Sequence, residues 1–180
     1  MKTKQKGFSL IELLIVVAII LIIAAIAIPN LLRSKMAANQ ASAVGSVRTI
    51  NTAAITYNST YGNGYPGNLT MIGTAASTTP GCGSALLIDS VLTSGTKSGY
   101  TFTLAGEGTQ LNSTNSSCAP SGPFGYQGGY VVQAVPANPG TTGQTAYCSD
   151  GSGVIRQNPT GTLGAIANGM CATSDAPLGN

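Results

Sequence analysis

The sequence predicts an α+β protein: a long N-terminal hydrophobic α-helix followed by a C-terminal antiparallel β-sheet head. Three observations carry this reading. Sixteen consecutive apolar residues run from Leu13 to Ile28 without a charge. Beyond them Ala37, Ala41, Val44, Val47, Ile50, Ala54 and Tyr57 recur at intervals of three or four, which is the stripe of an amphipathic helix. After Tyr65-Pro66 the apolar period shortens to two, as in Tyr100-Thr101-Phe102-Thr103-Leu104.

The first segment is long enough to cross a bilayer. As a helix, Phe8 to Ile28 rises about 31 Å, close to the hydrocarbon thickness of a membrane. Lys2, Lys4 and Lys6 precede it and favour a cytoplasmic N-terminus, with the C-terminal part outside. A cleaved secretory signal is one alternative, because Ala25-Ile26-Ala27 has the small residues of a cleavage site. A plain single-span anchor is another. Glu12 sits badly with both, since a carboxylate at the centre of a span costs ~2.5–3.5 kcal/mol and stays unfavourable toward the end.

Gly7-Phe8-Ser9-Leu10-Ile11-Glu12-Leu13-Leu14 resembles the class III signal of type IV pilins and type II secretion pseudopilins: a short basic leader, Gly before an aromatic residue, and Glu fifth after the cut. The resemblance covers the N-terminal quarter of the chain. It implies that a prepilin peptidase cuts between Gly7 and Phe8 and that Phe8 becomes the N-methylated end. It also implies a lollipop shape with four parts: a leader over 1–7, a transmembrane and assembly half-helix over 8–29, an amphipathic half over 30–61, and a head over 62–180. The partners that follow are other copies of the chain in a helical homopolymer, the peptidase, an assembly platform, and the inner membrane before assembly. The destination is an extracellular pilus, or a periplasmic pseudopilus if the chain serves type II secretion. An anchored periplasmic binding or enzymatic domain is the third reading, and it leaves Glu12 unexplained.

The chemistry of the match is coherent. Cutting ahead of the apolar helix keeps the anchor, whereas an ordinary signal peptidase discards it. The new α-amine, with a reference pKa of ~7.7–8, lies about one helical turn from Glu12. In a filament the resemblance gives Glu12 of one subunit the task of neutralising the Phe8 amine of its neighbour. Such pairing rewards correct register, because an unpaired charge in low dielectric is costly. Pro29 lacks an N–H and its ring crowds the Ala25 carbonyl, so a kink or a locally unwound stretch is expected near Ala25 to Pro29.

Gly62, Gly64 and Pro66 end the long helix. Leu86 to Leu92 reads as a short helix, and Tyr100–Leu104, Tyr130–Val135, Thr145–Cys148 and Val154–Arg156 read as strands. A sheet of three or four strands follows, with one face on the amphipathic helix. Tyr57 and Tyr61 cover that face. The segments 106–129 and 159–180 read as long loops rich in Ser, Thr, Asn and Gly.

Cys82, Cys118, Cys148 and Cys171 all lie in the exported part, which suggests two disulfides. Three pairings are open; Cys82–Cys118 and Cys148–Cys171 are preferred because they staple the two long loops. There is no His and no CxxC, so no zinc site and no Ser-His-Asp constellation is expected. Asp150-Gly151-Ser152-Gly153 reads as a turn rather than a calcium site. Asn58, Asn68, Asn112 and Asn115 each open an Asn-X-Ser/Thr triplet, a pattern this Ser/Thr-rich composition produces readily. Neither catalytic residues nor a cofactor are expected. Without the leader, five basic and five acidic side chains remain. The exported part is therefore no basic platform for nucleic acid.

Overall fold

The computed structural model describes residues 7–74, 79–112, 118 and 122–179. It divides into two compact units, Met1–Lys35 and Met36–Asn180. One helix, α1 (Leu10–Tyr61), contributes to both.

The helix starts at a local cap. The Glu12 Oε2 atom accepts the backbone N–H of Ser9 at 2.9 Å, and the Leu13 N–H reaches the Ser9 carbonyl at 3.3 Å. Ser9-Leu10-Ile11-Glu12 thus makes the reciprocal half of a capping box. At the other end Gly62 takes φ 55° and donates to the Asn58 carbonyl at 2.9 Å, a left-handed stop that glycine enters without a Cβ penalty. Helical structure continues through Pro29 without an unwound residue.

The second unit is built on a six-stranded antiparallel meander in the order β1 (Thr96–Lys97), β2 (Tyr100–Glu107), β3 (Gly129–Pro136), β4 (Ala146–Asp150), β5 (Ile155–Asn158), β6 (Ala176–Pro177). Three or four strands were expected, and the two added ones are two-residue edges. A two-residue turn, Ser98-Gly99, joins β1 to β2 with φ of 52° and 73°, so both positions are left-handed. β6 is held by pairing with Arg156 and Gln157.

The inner face of the sheet presents Tyr100, Phe102, Leu104, Tyr130, Val132 and Ala134 to the core that α1 closes with Val47, Ile50, Ala54 and Tyr57. Ala43 and Ala53 join that core, while Ala37 and Ala41 of the expected stripe are exposed. The stripe therefore begins later and turns slightly. Where it begins, Asn39 Nδ2 donates to the Thr142 carbonyl at 2.7 Å, so the β3–β4 connection, not a sheet face, meets the helix there. The outer face is covered as well. Val131, Cys148 and Cys171 form a second small cluster with Leu163 against it.

Disulfides join Cys82 to Cys118 and Cys148 to Cys171, with Cα–Cα separations of 6.1 and 5.9 Å. The expected helix over Leu86 to Leu92 is replaced over 85–89 by irregular backbone with Leu86 at φ 56°, because the N–H groups of Ala85 to Ile88 donate to carbonyls of Met71, Ile72 and Gly73. Only α3 (Ser90–Thr93) is helical here, started by the Asp89 carboxylate on the Leu92 N–H at 2.8 Å. A further turn of helix, α2 (Leu69–Ile72), is capped in the same way by Asn68. Val154 lies outside β5 and is exposed.

Candidate functional site

In the first unit, no side chain of the apolar segment is buried. Phe8 is 78% exposed, and every large apolar residue from Leu10 to Ile28 faces outward on all sides of the helix. This is the one helix among the described residues that is long and apolar enough to cross a membrane. A face so apolar has no stable monomeric solution in water, because a contiguous patch of this size is covered by lipid or protein.

Gly7 and Phe8 precede the helix in irregular backbone. A Cβ built on Gly7 meets nothing within 4 Å, so nothing in the fold demands a glycine there. Glu12 lies on the first turn, where a carboxylate is stabilised by the positive end of the helix dipole. Its hydrogen bond to Ser9 supplies a structural use for the acid that the sequence reading missed. The signal was the Ser-X-X-Glu spacing itself. Pro29 stands well inside α1, where its missing N–H leaves the Ala25 carbonyl without its usual intrahelical donor.

In the second unit, the Asp150 carboxylate is taken up by nearby backbone. Asp150 Oδ1 accepts the Ser152 N–H at 2.9 Å and Oδ2 the Cys171 N–H at 3.0 Å. Burial pushes the Asp150 carboxyl up, but these hydrogen bonds and Arg156 outweigh it and hold it below the ordinary range. The turn Asp150–Gly153 closes with the Gly153 N–H on the Asp150 carbonyl, so the geometry here is a turn. Tyr57 and Tyr61 pack with ring centroids 5.1 Å apart and planes tilted by 43°, and Tyr57 is fully buried. Its hydroxyl donates to the Cys82 carbonyl at 2.8 Å and accepts from Asn63 at 2.6 Å, which ties the end of α1 to the first disulfide.

Against known proteins, residues 2–28 match the family described as the prokaryotic N-terminal methylation motif. The chain carries that motif. Beside it the N-terminal region is similar to two pilins. Over 50 residues, 28% of this chain and 23% of the relative, it is 48% identical to the type IV major pilin protein PilA of Myxococcus xanthus. Over 34 residues, 19% of this chain and 26% of the relative, it is 68% identical to the type IV wide pilus major component PilA4 of Thermus thermophilus. The chain thus spans about a quarter of the length of these curated relatives. No solved structure matches it. The methylation motif covers Gly7, Phe8 and Glu12, the residues that stand at and next to the start of α1.

Proposed function

We propose that the chain is the structural subunit of a type IV pilus, inserted with its N-terminus inside, trimmed by prepilin peptidase after Gly7 and polymerised through its N-terminal helix. The observation that carries this is a methylation motif opening a helix whose first stretch, Leu10 to Ile28, exposes its large apolar side chains on every side. Both similar pilins are named as major subunits, which favours the pilus over the pseudopilus. Gly7 has no steric duty in the fold, which suits a residue kept for an enzyme to read. On this reading residues 1–7 are leader, 8–29 the assembly half of the helix, 30–61 the half serving the head, and 62–180 the head. The chain passes from inner membrane through an assembly platform to an extracellular filament. It performs no catalysis and binds no nucleic acid.

Intact-mass measurement of membrane-extracted or filament protein tests the processing step. Phe8 is expected as the first residue, carrying one methyl group. A start near Ile28 means ordinary signal cleavage and ends the filament reading.

Glu12 caps its own helix and, on this reading, serves as counter-charge for a neighbour's Phe8 amine, and one substitution separates the two. Glu12→Gln keeps an oxygen for the Ser9 N–H but loses the charge, whereas Glu12→Val loses both. If pairing with the amine matters, both variants insert and are processed but assemble poorly. Normal filament yield from Glu12→Gln leaves the cap as the whole role of the residue.

A further inference from the structure

Residues 8–180 carry ten charged side chains, and every one of them is described. Seven belong to the second unit, and five of these are committed within it. Lys97 Nζ meets Asp89 Oδ2 at 3.1 Å. Asp175 is 1% exposed; its carboxylate accepts from Asn158 Nδ2 at 2.8 Å and from the Gly164 N–H at 3.2 Å, and its carbonyl takes Arg156 Nη1 at 3.2 Å. Asp150 is held by Ser152 and Cys171 as described.

One cation and one anion remain, the side chains of Arg48 and Glu107, and neither has a hydrogen bond or ion pair among the described residues. Arg48 is exposed on α1 and lines two shallow hollows, one with Thr52, Thr56 and Leu87, the other with Val154 and Leu178. Glu107 ends β2 beside Gly169, where an added Cβ would lie 2.8 Å from its own. The hydroxyls around Arg48 are already satisfied within the helix. Thr49, Thr52 and Thr56 donate their hydroxyls to helix carbonyls four residues back, at 3.1, 3.1 and 2.8 Å. Those hydroxyls require no water when the face is covered.

We propose that Glu107 of one copy pairs with Arg48 of the next in a heterologous contact between second units; the inference rests on the filament reading. Two complementary charges on different elements of one unit, exposed Arg48 and half-buried Glu107, are what a head-to-tail ion pair requires. Such a contact propagates into an open helical filament when its rotation does not close. In a surface so poor in charge, a misplaced Arg48 or Glu107 is left facing apolar or hydroxyl groups, so the pair selects register more than it adds affinity.

The test uses the full-length chain in the source bacterium with its own copy removed. Wild type, Glu107→Arg, Arg48→Glu and the double exchange are compared by the amount of chain in sheared surface filaments relative to total. Each single reversal is expected to lower the filament fraction about fivefold or more, and the double exchange to restore most of it, as paired sites do. Reversals without effect, or a double exchange no better than the singles, overturn the pairing. If a reversal fails to accumulate with both disulfides formed, Glu107→Gln and Arg48→Gln replace it. Each should then lower the fraction by itself with little added loss when combined, and full additivity or no loss overturns the pairing. Wild-type protein that is processed at Phe8 yet never forms filaments defeats the filament reading itself, an outcome distinct from a failed exchange.

Discussion

Ile20 and Ile50 are the same residue type on one helix, yet Ile20 is 58% exposed and Ile50 is fully buried. Around Ile50, apolar residues occupy one stripe, the opposite face carries Arg48, Thr49 and Thr52, and the stripe finds a sheet to lie on. Around Ile20 there is no polar face at all, and no described residue of the first unit covers it. A helix apolar on every side needs lipid or other helices, whereas a striped helix needs only one partner surface. The contrast separates a stretch that completes its own unit from a stretch that awaits company.

The sharpest way to break this comparison is to shorten both isoleucines. In detergent, Ile50→Ala is expected to destabilise the second unit by about 2–5 kcal/mol, the range for cutting a buried side chain. Ile20→Ala should change it by less than about 0.5 kcal/mol. Denaturant melts of the full chain followed by near-ultraviolet circular dichroism of its tyrosines supply the measurement. Equal effects would mean that the two stretches are not energetically separate.

The disulfides come next. Replacing Cys148 and Cys171 together by Ser should cost ~2–4 kcal/mol in the same melts and loosen the segment that carries Leu163 over the outer sheet face. Helicity of the apolar stretch in detergent should not change. Peptide mapping without reductant checks the pairs directly; crossed linkages or free thiols in native material would refute them.

The gentlest probe is alkaline pH, since all seven tyrosines lie at Tyr57 or beyond and none lies in the apolar stretch. Burial pushes the phenols of Tyr100 and Tyr130 up to about 12. A folded-state pKa above the unfolded value near ~10 means the unfolded chain releases its proton first. Stability is then complete below about pH 10 and falls as pH rises through the folded value. Tyrosinate absorbance should show late-titrating phenols whose ionisation coincides with loss of the near-ultraviolet signal. Seven ordinary titrations in a still-folded protein would contradict the buried packing.

Much of this architecture was legible in the sequence because long periods average out single-residue noise. The apolar run and the positions Val47, Ile50, Ala54 and Tyr57 were read from spacing alone. Ala37 and Ala41 misled because alanine is equally at home exposed on a helix, so it carries little phase information. The edge strand β1 was readable in Lys97-Ser98-Gly99-Tyr100, a dipeptide turn between two extended residues, but two residues of strand have no period to detect. β6 ends at Pro177 and depends on a non-local partner, so propensity argued against it. At the candidate site, Gly7, Phe8 and Glu12 stood out through their resemblance to a class III signal, while the bond from Ser9 to Glu12 was written in the Ser-X-X-Glu spacing and went unread. Arg48 and Glu107 gave no signal, because being left without a partner is a property of the folded unit and not of a motif.

The two disulfides also decide how the chain responds to tension. Cys82–Cys118 and Cys148–Cys171 are 36 and 23 residues apart, which corresponds to about 120 and 80 Å of extended backbone. Force applied along the polypeptide passes through the sulfur atoms and bypasses both stretches. The second unit can therefore give up its hydrogen-bonded strands under load and still keep those lengths folded out of reach. Reduction turns the same protein into a far more extensible tether.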